Sequence, residues 1–427
     1  MPGEHRWGAA QNLDSIIYLI YLTIGTGIGV EEYSMASPYM GWCTLRWGTS
    51  ACRMIGRPLC FLVFAHRTPR IAVIPSYRNH NCRIREYAFQ GQRLLFLENE
   101  LLRIGVLVDK GADIVEFLHK PSDTEFMLHM PQGMRAPAVQ SAASSWGSFL
   151  DYYEGGWQEI LPNGGPACTY KGIEFGLHGE ISTIPWQYSI DVDSPAELQV
   201  TLEVRPFRTP FHLTKRLTLH SGQAVLTIDE TLTNEGGEAM DLMWGHHPAF
   251  GAPFLSEACR VDLPKGDLVL ETFAGAAGTR LRTGGTHHWP IARDSGVLVD
   301  FSRPDPMGTG HEDIGYVVNL PEGWYAITNQ ERGVGFAMTW PLDEFPYLWV
   351  WRQFNVSAGY PWYGRAYTMA LELWSSYPSA GLLTAIENGT AAELQAGKSR
   401  SATLRAIAYQ NVQRVSHVSP DGVVTAE

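Results

Sequence analysis

The chain has 427 residues, enough to bury a large core in one big all-β domain or in two ordinary ones. A hydrophobic share of 45% and a charged share of 18% are those of a globular protein, and a net charge of −12 with no basic tract argues against nucleic acid as a partner, because phosphate binding needs clustered Lys and Arg. Aromatic residues reach 11%, with 14 Trp and 18 Tyr, and their flat rings suit sugar rings as well as core packing.

Residues 1–82 show no sustained period of 2 or 3.6. They hold four of the six cysteines (Cys43, Cys52, Cys60 and Cys82), none in a CxxC pair, so neither a zinc ribbon nor a redox motif is indicated. The apolar run "IIYLIYLTIGTGIGV", Ile16–Val30, is shorter than the roughly 20 residues a membrane span needs. Asp14 precedes it, and Glu31 and Glu32 follow where a signal peptide would place small residues, so no membrane or export role is expected. Residues 1–82 therefore read as an extension, either poorly ordered or translated from upstream of the natural start. Only Cys168 and Cys259 follow, which fits a reducing compartment, the cytoplasm.

From Arg83 the pattern turns to strands. "LLRIGVLVDKGADIVEFLHK" predicts two strands around a turn at Asp109-Lys110-Gly111, and "ELQVTLEVRP", "FHLTKRLTLHSG" and "QAVLTIDETLTNEGG" predict three more. "GVLVDFS", "GYVVNL", "WYAITNQ", "VGFAMTW", "YLWVWRQF", "YTMALELW" and "SATLRAIAY" continue the series, with little helical periodicity between them. A dozen or more short strands with no linker predict an all-β chain, one large antiparallel β-sandwich over 83–410, followed by a C-terminal tail over 411–427.

Three stretches combine ionisable groups with Gly, Pro and Trp in a way that packing does not require. In "YKGIEFGLHGEISTIPW", His178 precedes Gly179 and Glu180; a surface histidine is the plain alternative. In "DLMWGHHPAFG", alternation sends His246 and His247 to opposite faces, and Pro248 ends ladder pairing, so His247 is expected where a strand stops. A hydrogen-bonded structural histidine is the alternative there. In "YTMALELW", Glu372 is the one charged residue among apolar neighbours, with Ala370 and Trp374 on its face. It is either paired with an Arg or held with a raised pKa for acid–base work.

Together these segments resemble the aldose 1-epimerase (galactose mutarotase-like) superfamily, nearer its bacterial and hexose-phosphate-epimerase-like branches. "LHGEISTIPW" is similar to the family's H-G segment that ends in Trp. "HHPAF" resembles its H-P-Y-F motif with Ala249 for Tyr, and "ALELW" its late glutamate strand with Leu373 where Pro is usual. "HEDIGYVV" is similar to the segment whose aspartate stands three residues before an aromatic, here Asp313 and Tyr316. The resemblance implies a β-supersandwich with an open cleft that interconverts the anomers of a free hexose or related sugar, with no metal or organic cofactor. In it Glu372 would be the general base, His247 the general acid, and His178 and Asp313 would hold hydroxyls. "DYYEGGWQEILPNGG" lies where the family places a substrate-contacting loop, so Trp157, Glu159 and Asn163 become candidate sugar contacts, with ordinary burial the alternative for Trp157. Arg352 would contact substrate or, slightly favoured, neutralise a buried acid. No Arg follows the H-G pair, where Ile181 stands, which counts against a phosphorylated substrate.

Other readings compete with this one. A metal site could draw on His246, His247, His287, His288 and His311, but no H-x-H or H-x₃-H spacing occurs among them. A non-catalytic carbohydrate-binding domain, or a sugar isomerase or lyase using the same pair, would share the fold.

Overall fold

The computed structural model describes residues 78–135, 147–271, 278–357 and 359–427. The expectations for residues 1–77, including the run Ile16–Val30 and the cysteines Cys43, Cys52 and Cys60, lie outside them.

Strand alternation builds two sheets. In Val225–Asn234 every second residue is buried (Leu226, Ile228, Glu230, Leu232), while Thr and Asp alternate toward solvent. Phe211–His220 does the same with Phe211, Leu213, Lys215 and Leu217. Each of these inward faces carries one charged residue, and the register sets Lys215 opposite Glu230. These strands belong to an eight-stranded sheet, ordered Cys259–Asp262, Trp324–Asn329, Val334–Thr339, Ser399–Gln410, Val225–Asn234, Phe211–His220, Glu197–Val204 and Gln187–Asp193. The larger, 14-stranded sheet runs from Arg83–Phe89 to Val297–Asp300, and its middle consists of Trp157–Ile160, Gly245–Gly251, Tyr367–Trp374, Tyr347–Phe354 and His311–Val318. Every strand ladder in both sheets is antiparallel.

The sheets pack face to face. Phe336 of the smaller sheet meets Phe117 and Phe250 of the larger, each with ring centroids 5.1 Å apart, in the edge-to-face geometry aromatic quadrupoles favour. The expected all-β sandwich is the architecture found. α-Helix is confined, among the described residues, to Gly147–Leu150 and Leu382–Glu387, with single 3-10 turns at Lys120–Ser122 and Ile181–Thr183, and no helix there is long and apolar enough to cross a membrane. Beyond residue 410 the chain forms a hairpin, Val415–Val418 with Val424–Ala426, whose Val415 and Val418 are buried in a cluster with Trp324 and Tyr409.

The structure corrects one expectation. Pro248 does not stop a strand: Gly245–Gly251 continues through it. Its ring suits extended backbone and only its missing N–H is lost, so pairing resumes at once, with Ala249 facing Ala370 and its N–H on the Gly156 carbonyl at 3.0 Å. Close approach then positions Trp374. Its indole lies over Gly245 and Gly164, where an added Cβ would come within 2.3 Å of the ring in each case. Gly245→Ala is therefore expected to overpack this contact and cost about 1–3 kcal/mol, measured as a lower urea midpoint at unchanged slope.

Candidate active site

The two middle strands set the central pair of groups. Gly245 faces Trp374, His246 faces Leu373 and Ala249 faces Ala370, so His247 comes opposite Glu372. Both strands are buried along their whole length, and His247 Nε2 lies 3.4 Å from Glu372 Oε1. The second oxygen, Glu372 Oε2, accepts the indole N–H of Trp374 at 3.0 Å. Trp374 in turn stacks on Trp349, with centroids 4.1 Å apart and planes 15° from parallel. Small side chains at Ala249 and Ala370 keep this face low and leave room beside the pair for Tyr153.

Above the pair is a cavity of about 510 Å³, walled largely by aromatic and aliphatic side chains, Phe149, Tyr153, Leu177, Trp349, Trp351 and Trp362 among them. His178 enters from the loop. It has φ +58° and is followed by Gly179 at φ +74°, where a Cβ would fall 2.4 Å from the Leu161 carbonyl oxygen, so only glycine lets the loop pass. The Gly165 N–H donates to His178 Nδ1 at 3.1 Å, which places the ring proton on Nε2. Among the described residues that Nε2–H has no protein acceptor, and the His178 ring is 5.8 Å from that of His247.

Burial sets the protonation of all three groups. With no cation beside it, Glu372 is pushed up to about 8 by desolvation, against the opposing Trp374 hydrogen bond. Desolvation lowers His247 to about 4, and desolvation together with His247 lowers His178 to about 3. Both shifts disfavour the charged forms, so burial favours a neutral pair with the proton on the carboxyl. Among the described residues, two further wall atoms lack partners, His247 Nδ1 and the Tyr153 hydroxyl.

The opposite face of the same strands is occupied quite differently. His246 Nδ1 accepts Trp157 Nε1–H at 3.2 Å, and its Nε2 meets Glu230 Oε2 at 3.0 Å. Glu159 accepts Trp244 Nε1–H at 2.8 Å and pairs with the Lys215 ammonium at 3.0 Å. Lys215 lies over the Trp186 ring, 4.7 Å from its centroid. Trp157 and Glu159, expected as sugar contacts, are therefore core residues of the interface between the sheets and do not reach the cavity. Asn163 is also enclosed: its Nδ2 donates to the Pro166 carbonyl at 2.8 Å and its Oδ1 accepts the Leu382 N–H at 2.8 Å, tying two loops together. Glu159, Glu230 and His246 bring ligand-type atoms within 4.8 Å of one another, but Lys215 already supplies the positive charge there. His246 and His247 face apart and His288 is exposed, so the five histidines do not form one metal centre.

Asp313 borders the cavity, yet its carboxylate is wholly enclosed by Arg280, which donates from Nε at 3.0 Å and also from Nη2, and by Arg352 at 4.0 Å. Arg352 is fully buried outside the cavity wall, bonded to Asp305 at 3.0 Å and to the Arg303 carbonyl at 2.7 Å, so it serves buried acids. The neighbouring Glu312 faces the cavity instead. Glu312, Tyr153 and the Trp349/Trp351/Trp362 wall were not singled out in the sequence. The period-two spacing of Trp349 and Trp351 in "YLWVWRQF" was the available signal for the wall. His246→Asn is expected to cost about 1–3 kcal/mol, read by urea denaturation, because Glu230 or Trp157 then loses its partner in the core. The cavity face should keep its geometry.

A family model described as a domain of unknown function (DUF4432) matches residues 89–280. No curated protein matches the sequence. Among solved structures, a candidate aldose 1-epimerase from Klebsiella pneumoniae superposes with a TM-score of 0.62 at 15% identity, covering 79% of this chain and 86% of that one. A galactose mutarotase-like protein from Clostridium acetobutylicum gives a TM-score of 0.53 at 14% identity, covering 77% and 99%. A galactose mutarotase related enzyme from Lactobacillus acidophilus gives 0.50 at 15%, covering 77% and 98%. At such identities the likeness is one of architecture, and this chain has the galactose mutarotase-like β-sandwich fold.

Proposed function

We propose that the protein is an aldose 1-epimerase acting on a free sugar by acid–base ring opening. The observation that carries this reading is the buried His247–Glu372 pair, 3.4 Å apart at the floor of an aromatic-walled cavity. Opening a hemiacetal needs one group to take the O1 proton while another protonates the ring oxygen. The neutral state of the pair supplies both. His247 takes the O1 proton, the C1–O1 bond becomes a carbonyl, the C1–ring oxygen bond breaks, and Glu372 protonates the departing oxygen. Rotation about C1–C2 presents the other carbonyl face. On reclosure the Glu372 carboxylate takes the proton back from the attacking hydroxyl, and His247 returns the other to O1. These resting roles are the reverse of those the resemblance implied, because an uncompensated buried carboxylate holds its proton more tightly than a buried imidazole does. His178 would donate from Nε2–H to a substrate hydroxyl or to O1. The cytoplasm is the compartment we propose, on the sparse cysteines of the body.

Saturation-transfer NMR of a hexose panel tests this. Accelerated anomeric exchange is expected in the natural protein. His247→Asn and Glu372→Gln should each lower it by at least about 10²-fold while leaving sugar binding measurable by calorimetry, since each removes one proton-transfer partner. Sugars that bind without exchanging any faster than in buffer would overturn the proposal. The pH profile should be a bell. Below about 4 His247 gains a proton and the pair has no base; above about 8 Glu372 loses its proton and the pair has no acid. A rate that rose steadily from pH 6 to 10 would contradict it.

A further inference from the structure

The charge of the cavity is one-sided. Among the described residues its wall carries the carboxyl groups of Glu271 and Glu312 besides the protonated Glu372, and no Lys or Arg. Asp313 contributes no free charge, because Arg280 and Arg352 are shared between it and Asp305. His178 and His247 are held neutral by burial. Residues 136–146 and 272–277, which flank wall residues in sequence, contain no Lys or Arg.

Within this wall Glu312 has a particular setting. Its Oε1 accepts the Trp351 indole N–H at 3.3 Å, and its other oxygen has no partner among the described residues. Trp351 and Trp362 form a corner beside it, with ring centroids 5.5 Å apart and planes inclined by 41°. Tyr153 closes that corner, 5.9 Å from Trp362, and its wholly buried hydroxyl has no partner among the described residues. Burial raises the carboxyl of Glu312 against the opposing Trp351 hydrogen bond, and burial raises that of Glu271. No Lys or Arg of the described wall pairs with either group. A hydroxyl could bond to Glu312 without stabilising its ionised form, and a phosphate or carboxylate on the sugar would meet no cation there. A protonated amine supplies the charge and three donors, and indole faces attract it.

We propose that the cavity takes a sugar bearing a protonated amine, with the ammonium group held by Glu312 against the Trp351–Trp362 corner. This rests on the sugar-binding reading above and adds the class of substrate.

Calorimetry and saturation-transfer NMR on the natural protein test it with D-glucosamine and D-galactosamine. Their N-acetyl forms and parent hexoses serve as uncharged controls, and D-glucuronate as the anion. At least one free hexosamine should bind about tenfold more tightly than both its N-acetyl form and its parent, and glucuronate most weakly. Glu312→Gln, nearly isosteric and still an acceptor for Trp351, should bring that ratio close to one. The ligand series on the natural protein decides the matter even if the variant fails to fold. Equal affinity for amine and neutral sugars, or a uniform loss for all sugars in Glu312→Gln, overturns the inference. Selective binding of the amine without accelerated exchange would uphold it and refute the epimerase reading. Accelerated exchange of neutral hexoses with no preference for the amine would do the reverse.

Discussion

The register between Gly245–Gly251 and Tyr367–Trp374 is the constraint on which the site depends. It brings an imidazole and a carboxyl together on strands whose two faces are both buried, with no cation beside the carboxyl. A slip of one residue would send His247 into the core and His246 into the cavity. Because ionisation is costly in such surroundings, burial favours a neutral pair with a single proton, and this is what makes two ordinary side chains an acid and a base at neutral pH.

The same sheet treats ionisable groups in opposite ways on its two faces. Between the sheets, Glu159 pairs with Lys215 and accepts the Trp244 indole N–H, and His246 bridges the Trp157 indole and Glu230, whose Oε1 has no hydrogen-bond partner among the described residues. That network belongs to the packed sandwich, and it explains how charged residues sit inward on strands that otherwise point Leu and Ile inward. On the cavity face, among the described residues, His247 Nδ1 and the Tyr153 hydroxyl lack partners and Glu312 has an uncommitted oxygen. Buried polar groups are rarely left so, and where several converge on one cavity a ligand is the natural way to complete them.

Asp313 and Glu312 show how adjacent residues divide such roles. Both lie at the start of His311–Val318, yet one is closed off by Arg280 and Arg352 while the other is turned toward the Trp351 indole. Spacing relative to the aromatic Tyr316 pointed to Asp313. What it could not convey is that Arg280, thirty-odd positions earlier in the chain, and Arg352, across the sheet, consume that charge. Trp157 and Glu159 illustrate the same point: they lie in the right stretch of chain, but on the face of Trp157–Ile160 that meets the other sheet.

Local sequence was enough for the strands and for three of the groups at the cavity, because period-two alternation, turn residues and a lone glutamate among apolar neighbours are properties of contiguous residues. The all-β sandwich and the opposed faces of His246 and His247 follow from that local code, which left Glu372 either paired with an Arg or held with a raised pKa. The passage of the strand through Pro248 did not, since it depends on partners on both sides resuming the ladder. Nor did the protonation of the pair, the enclosure of Asp313 or the exposure of Glu312 to the cavity. Those are settled by which distant side chains arrive within a few ångströms, and only the packing of one sheet against another and of loops over the sheet determines that.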